Sequence, residues 1–337
     1  MIDPDYSEAN EDPRRRPPPT AREELKIVML GDNGTGKTSQ FGRLLLACPE
    51  LAPMVLIATE RGSEVLQALV MRGLVRIVVA KSPEEVQRVL ELLRKPVVVE
   101  DLTIRPARDG EGFRAGMVVI DSYSAVAKRA IEQEMDLGPG DVGPEGRKRR
   151  SSYGANQYMD WNGEARKRLE GMLAAAEDLL DLGIVVGITC AWKQIFDREK
   201  KDYSHKVQPA LPGGPHPGGM SRALRGWARY QWCLHQDGES FYALTTPLSA
   251  EQVQDPRFAW ARPFSTWPKS SVPDELRDVR SGLLPQVYAR PDFGEYWTAR
   301  RRALELHAGG LRGRDLLQRL ADEEYRVKLP RKKSEPV

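Results

Sequence analysis

The chain has 337 residues, of which 40% are hydrophobic and 29% are charged, and its formal net charge is +3. This length allows one large domain or two modest ones. So small a net charge excludes a chain-wide attraction for polyanions, and a nucleic-acid site therefore has to be a local patch. The three cysteines, Cys48, Cys190 and Cys233, are far apart and form no C-x-x-C pair, which argues against a disulfide framework and a structural zinc site.

Composition also bears on compartment and membrane contact. Cysteine usage of this kind is typical of a reducing cytoplasm. No charged-then-apolar leader opens the chain, and no apolar stretch reaches the roughly 18 residues that a membrane span requires. We therefore expect a cytoplasmic protein without a membrane partner.

Both ends of the chain are polar and lack apolar periodicity. Residues 1–24 are rich in proline and in charges of both signs, which predicts a disordered tail, and residues 327–337 form a basic tail. Between the tails, residues 25–246 are predicted to form the folded core and residues 247–326 a C-terminal extension with helices.

The strongest signal lies near the amino end of this core, where Gly31 to Thr38 read G-D-N-G-T-G-K-T. They match the phosphate-binding loop G-x-x-x-x-G-K-[ST] without a mismatch, and a strand-like run before the loop and helical spacing after it supply the required context. The alternative is a glycine-rich turn before an ordinary helix. The candidate nucleotide-binding residues are Gly31, Asp32, Asn33, Gly34, Thr35, Gly36, Lys37, Thr38 and Ser39.

Each residue type in this loop has a physical role in binding a polyphosphate. Gly34 and Gly36 let the backbone bend so that successive N–H groups point inward, and the amino end of the following helix adds a fixed positive pole. Lys37 is placed to reach the outer phosphates, and the Thr38 hydroxyl is placed to bind the Mg²⁺ that bridges them.

Strand-like and helical segments alternate after the loop. Residues 53–58 and 74–79 are apolar runs of strand type, and each is followed by residues at helical spacing. Ser82 with Pro83 behind it is typical of a helix start. Alternation of this kind predicts an α/β fold, with a mostly parallel central sheet flanked by helices.

A second motif of the same class ends the apolar run at 117–120, which delivers Asp121 at its carboxyl end. A carboxylate there is the Walker B form and would hold the metal opposite Thr38. Alone, the same pattern is also common as a helix-capping device. Because it follows a complete phosphate loop, we predict that Asp121 is a metal ligand.

Two long segments without clear periodicity follow, at 135–158 and 192–220, on either side of a helical stretch and a strand-like run at 184–189. Both mix basic and aromatic residues, which suits a single-stranded nucleic acid because cations follow its backbone and rings accept its bases. The alternative is ordinary solvated surface. The candidate DNA-binding residues are Arg147, Lys148, Arg149, Arg150, Lys193, Lys200 and Lys201.

The sheet is predicted to end with an antiparallel pair of strands, 229–235 and 240–246, joined by a turn at 236–238. Residues 247–286 are proline-rich and show little periodicity, after which helical spacing returns. We expect this extension to pack on the core or to recruit a partner.

The order of the motifs over residues 25–236 resembles RecA-like recombinase ATPases, and especially the small phage proteins called Sak-type single-strand annealing ATPases. The resemblance implies a RecA-like P-loop NTPase core, ATP and Mg²⁺ as cofactors, and single-stranded DNA and further copies of the chain, in a ring or filament, as partners. It also implies that Glu60, at the end of the second strand, activates the attacking water, and in-line attack on a phosphate needs a carboxylate near the strand ends. The alternative is a surface carboxylate paired with Arg61.

The sequence departs from this family where the strand at 184–189 ends. A polar sensor of the outer phosphate is expected there, and Thr189, or Gln194 just beyond it, is the candidate. The phosphate loop also resembles that of small GTPases, but Asp121 opens no D-x-x-G motif and no N-K-x-D motif occurs, so ATP is favoured over GTP.

Together these features predict an ATPase, with Lys37 and Glu60 as catalytic residues, that acts on single-stranded DNA in phage-type recombination or annealing, in the host cytoplasm if the protein is phage-encoded. Two alternatives remain. One is an ATP-gated assembly or scaffold protein with weak turnover, and the other is a helicase-type or packaging-type DNA motor.

Overall fold

The computed structural model describes residues 26–60, 63–108, 110–136, 155–197, 202–211, 219–264, 266–270 and 272–329. The strands are β1 (Lys26–Leu30), β2 (Met54–Ala58), β3 (Val75–Val79), β4 (Val97–Glu100), β5 (Thr103–Pro106), β6 (Met117–Asp121), β7 (Val185–Cys190), β8 (Trp192–Asp197), β9 (Asp202–Pro209), β10 (Tyr230–Asp237), β11 (Ser240–Leu244), β12 (Lys269–Ser270) and β13 (Val287–Ala289). The α-helices are α1 (Lys37–Ala47), α2 (Gln67–Met71), α3 (Pro83–Leu92), α4 (Tyr123–Asp136), α5 (Ala155–Leu180), α6 (Met220–Trp227), α7 (Ala250–Gln254), α8 (Arg280–Leu283), α9 (Phe293–Ala308) and α10 (Gly313–Asp322). Short 3₁₀ helices lie at Pro49–Leu51, Ser63–Leu66, Pro256–Phe264 and Asp274–Val279.

Within the described residues, nine strands form one sheet, and β4–β5 and β8–β9 form separate hairpins. The strands β10-β1-β7-β6-β2-β3 are neighbours in that order, and each adjacent pair is parallel. β11 and β12 pair with β10 in the antiparallel sense, and β13 pairs with β11. The predicted fold class, a mostly parallel sheet flanked by helices with antiparallel strands at one edge, is confirmed.

The central parallel strands are continuous apolar runs because helices cover both faces of such a sheet. All of β2 is buried, and β1 and β6 each leave one terminal residue partly exposed. Since parallel strands point the same way, the carboxyl ends of β1, β2, β6 and β7 lie on the same side of the sheet, which we call its carboxyl edge. In an open α/β sheet, ligands bind at the loops of the carboxyl edge.

The helix start predicted at Ser82 is present. The Ser82 hydroxyl accepts a hydrogen bond from the backbone N–H of Glu85, and the Glu85 carboxylate accepts one from the backbone N–H of Ser82, which is a capping box at the start of α3. Across the described ranges, no helix combines the length and the apolar character needed to cross a membrane.

Two predictions about local structure are wrong. The sequence predicts a loop over 192–220, whereas residues 192–209 contain the hairpin β8–β9. The sheet is predicted to end at β11, whereas β12 and β13 extend it. Strands of two or three residues are too short to show alternation along the chain, and only pairing with a longer neighbour defines them.

The C-terminal extension packs on the same sheet through aromatic rings. Tyr230 and Trp232 of β10 are fully buried, and the ring of Trp232 lies 4.8 Å from that of Phe293 in α9. Tyr230 meets Trp297 of the same helix edge-to-face at 5.6 Å. Residues of the core and of the extension therefore belong to one continuous hydrophobic core.

A polar link also joins the extension to α1. Gln40 is almost fully buried, its Nε2 donates to the carbonyl of Pro291 at 3.0 Å, and its Oε1 accepts from the backbone N–H of Phe293 at 2.9 Å. Arg43, one turn later, donates to the same carbonyl at 3.2 Å and to Asp292 at 3.1 Å. The extension is thus bonded to the helix that begins at the phosphate loop.

Replacing Gln40 with leucine is expected to lower the free energy of unfolding by about 1–3 kcal/mol, because the buried N–H of Phe293 loses its acceptor. Urea unfolding followed by tryptophan fluorescence measures the change. Gln318→Leu is the matched control, since Gln318 is exposed on α10, and it should shift the value by less than about 0.5 kcal/mol. Equal stability of the two variants would show that the Gln40 amide does not hold the extension.

Candidate functional site

The phosphate loop joins β1 to α1, and three of its positions require glycine, two for their backbone angles and one for lack of space. Gly34 and Gly36 have φ angles of +83° and +81°, in the left-handed region that other residues disfavour. Gly31 is limited by space, because a Cβ there would lie 2.4 Å from the hydroxyl oxygen of Thr35 and 2.9 Å from the carbonyl oxygen of Leu234. Gly36 directly precedes α1, so the amino end of that helix opens onto the loop.

Asp32, Asn33 and Ser39 complete the predicted set. Asp32 and Asn33 are exposed on the loop, and Ser39 is half-buried in the first turn of α1. The Thr35 hydroxyl donates to the backbone carbonyl of Asp32 at 2.8 Å. This bond turns the Thr35 side chain back onto the loop, so that it supports the loop's shape.

Lys37 is the first residue of α1, and its side chain folds back over the loop. Its Nζ donates to the carbonyl of Gly31 at 3.0 Å and to that of Asp32 at 2.7 Å. Burial lowers the pKa of Lys37, while the nearby carboxylates of Asp121 and Glu60 act in the opposite direction. The loop therefore places a partly desolvated cation next to the two carboxylates that the sequence predicts for the site.

Asp121 is the point at which three elements meet. Its Oδ2 accepts from the Thr38 hydroxyl of α1 at 2.9 Å, and its Oδ1 accepts from the Thr189 hydroxyl of β7. The strand order explains this convergence, because β7 lies between β1 and β6. The structure thus brings together three residues that the sequence predicted separately: the hydroxyls of Thr38 and Thr189 both donate to the carboxylate of Asp121.

Glu60 follows β2 and is exposed. The residue before it is bonded to the residue that follows β6: the Thr59 hydroxyl accepts from the backbone N–H of Ser122 at 2.7 Å and donates to its carbonyl at 2.9 Å. The backbone N–H of Thr59 also donates to the carbonyl of Asp121 at 2.7 Å. The peptide bond between Asp121 and Ser122 is cis. Arg61, the alternative partner of Glu60, lies outside the described residues.

Sequence reasoning missed the hydroxyl groups that join these strand ends. Besides the Thr59 bonds, the hydroxyls of Ser122 and Ser124 are hydrogen-bonded at 2.7 Å, and Ser124 accepts from the backbone N–H of Ala191 at 3.0 Å. Ala191 is the residue between β7 and the hairpin β8–β9. Small hydroxyl residues directly after a buried strand are the signal that could have indicated them.

Six of the seven candidate DNA-binding residues lie outside the described residues: Arg147, Lys148, Arg149, Arg150, Lys200 and Lys201. Lys193 is exposed in β8, where it pairs with Gln208. The sensor candidate Gln194 also lies in β8, opposite Val207. The hairpin therefore presents at least one of the predicted cations beside the carboxyl edge of the sheet.

The groups at this edge fit a polyphosphate with Mg²⁺. A hydroxyl and a carboxylate that already meet at 2.9 Å supply the hard oxygen ligands that Mg²⁺ prefers. The helix amino end and the Lys37 ammonium supply positive charge for an anion. Thr38 and Asp121 would hold the metal, and the loop with Lys37 would hold the phosphates.

Comparison with known proteins finds matches among solved structures, all at low sequence identity. No protein-family pattern and no curated protein sequence matches the chain. The crystal structure of the RadB recombinase is 11% identical, with 65% of this chain and 80% of that one covered and a TM-score of 0.34. A KaiC-like protein from Pyrococcus horikoshii OT3 is 18% identical, with coverage of 65% and 77% and a TM-score of 0.31. The flagellar accessory protein FlaH from Methanocaldococcus jannaschii is 10% identical, with coverage of 68% and 83% and a TM-score of 0.32.

Proposed function

We propose that this chain is a RecA-like ATPase that binds MgATP in its phosphate loop and hydrolyses it. The observation that supports this proposal most is the meeting of Thr38 and Asp121 beside Lys37, since they come from two separate motifs and their side chains are in contact. A glycine-rich turn before an ordinary helix would not bring a carboxylate from another strand to the first turn of that helix.

Each residue has a role in hydrolysis that its position allows. Lys37 binds the outer phosphates, and Thr38 and Asp121 hold the metal. Bound Mg²⁺ supplies positive charge that offsets the charge of the phosphates. Glu60 orients a water molecule, and the oxygen of this water attacks the outer phosphorus. Glu60 accepts a proton from the water as the bond between that phosphorus and the bridging oxygen of ADP breaks.

The partner in this proposal is single-stranded DNA, bound by an assembly of several copies of the chain in recombination or annealing. The placement of the hairpin β8–β9 supports this partner. Ala191, directly before the hairpin, donates its backbone N–H to the hydroxyl of Ser124, which lies three residues after Asp121 in the chain. A nucleic acid on the hairpin would therefore lie near the nucleotide. The charge for a phosphate backbone would come from the seven predicted cations, Arg147, Lys148, Arg149, Arg150, Lys193, Lys200 and Lys201.

ATPase rate with and without a single-stranded oligonucleotide tests the partner. We expect stimulation that weakens between about 50 and 200 mM salt, because cations on the protein displace counterions from the DNA. The variant with Arg147, Lys148, Arg149 and Arg150 all replaced by alanine should lose most of the stimulation and keep the basal rate. Its control replaces four exposed basic residues from other parts of the sequence, Lys95, Arg108, Arg280 and Arg314.

Other outcomes would redirect the proposal. ATP hydrolysis without stimulation and without salt-sensitive DNA binding would remove DNA and leave an ATP-gated scaffold. Directional movement on a duplex would identify a motor. Electron micrographs with ATP, with and without the oligonucleotide, would show whether rings or filaments form.

A further inference from the structure

The carboxylate of Asp121 is held on both of its oxygens. Oδ2 accepts from Thr38 on α1, and Oδ1 accepts from Thr189 on β7. Asp121 itself is half-buried at the end of β6, whereas Thr189 is fully buried. The two donors therefore approach the carboxylate from different elements, and one of them is deep in the protein.

The Thr189 hydroxyl carries a single proton. In the structure that proton is donated to Asp121. A contact of the hydroxyl with the outer phosphate, the role predicted for Thr189 from its place at the strand end, would require this bond to break. Being fully buried, the hydroxyl also has no access to water in place of this bond. A different role follows from its geometry.

The two oxygens of Asp121 have different environments. Thr189 engages Oδ1, and this leaves Oδ2 on the side of Thr38, where the two oxygen ligands for a metal lie 2.9 Å apart. Rotation of the carboxylate about its Cβ–Cγ bond would break the Thr189 bond and move Oδ2 away from Thr38. A hydrogen bond to a ligating carboxylate from a second residue fixes its direction and tunes its metal affinity.

We propose that Thr189 is a positioning residue for Mg²⁺: it fixes the carboxylate of Asp121 so that Oδ2 faces the metal beside Thr38. This inference rests on the proposed MgATP site. It assigns to β7 a function in metal affinity, separate from any contact with the nucleotide.

The test measures binding of a fluorescent, non-hydrolysable ATP analogue, first in EDTA and then during a titration with MgCl₂. Thr189→Val keeps the shape of the side chain and removes the donor. We expect it to bind the analogue in EDTA within about twofold of the parent, and to need about tenfold more Mg²⁺ for half of the Mg²⁺-dependent gain in affinity. Thr189→Ser restores the hydroxyl and should bring that midpoint back towards the parent value.

Thr245→Val is the matched control, since Thr245 is also fully buried and donates to the carbonyl of Pro285 at 2.8 Å, away from the site. It should leave the Mg²⁺ midpoint unchanged. An unchanged midpoint in Thr189→Val, or an equal loss of affinity in EDTA, would overturn the inference. If Thr189→Val does not fold, Thr189→Ala and Thr189→Ser are compared in the same titration. A parent protein without Mg²⁺-dependent binding would instead contradict the proposed function.

Discussion

Replacing Lys37 with alanine is expected to weaken ATP binding by about 10²–10⁴-fold. The ammonium lies within the loop and can give charged hydrogen bonds to phosphate oxygens, each worth about 1.5–3 kcal/mol, so the loss of two such bonds accounts for that factor. Titration with a fluorescent ATP analogue in Mg²⁺ measures the affinity.

Stability without nucleotide separates a binding effect from a folding effect. Burial lowers the pKa of Lys37, which means that the folded protein disfavours its charged form. Lys37→Ala should therefore melt at the same temperature as the parent or slightly higher. Lys128→Ala, at an exposed position on α4, is the control for both measurements. Unchanged ATP affinity in Lys37→Ala would contradict the assignment of the loop as the phosphate site.

Replacing Glu60 with glutamine is expected to lower kcat by about 10²–10⁴-fold while ATP affinity stays within a few fold. The amide has the same shape but cannot accept a proton from water, and Lys37, Thr38 and Asp121 are untouched. Single-turnover hydrolysis measures the chemical step, and the fluorescent analogue measures binding.

Glu64→Gln is the matched control, because Glu64 is exposed on the 3₁₀ helix that follows Glu60. It should hydrolyse ATP at the parent rate. If Glu60→Gln retains that rate too, another group orients the water, and the proposal keeps the nucleotide site without this catalytic residue.

Local sequence was sufficient for the phosphate loop and for the fold class. The loop depends on glycines at set spacing before a helix, and the parallel strands depend on continuous apolar runs, so neighbours along the chain carry both signals. The capping box at Ser82 is of the same kind. Each of these features needs interactions over only a few residues. The structure contains the glycine-rich loop between β1 and α1, the parallel strands and the capping box.

Pairing between residues far apart in the sequence decided the hydrogen bonds at Asp121 and the short strands of the sheet. The contact of Asp121 with Thr189 joins residues 68 positions apart, and it exists because β7 lies between β1 and β6, an order that no local pattern specifies. The short strand β12 pairs with Tyr230 and Gln231 of β10, beyond the part of β10 that pairs with β11, and β13 pairs with β11.

For this protein, then, the sequence by itself determined which side chains are suited to a phosphate and a metal, and that they follow buried strands. Only the tertiary structure decided which hydroxyl meets which carboxylate, and that the C-terminal extension is bonded to the helix of the phosphate loop. Glycine spacing and apolar periodicity are properties of neighbouring residues in the chain. Strand order and the hydrogen bonds between distant side chains arise only when separate segments pack together.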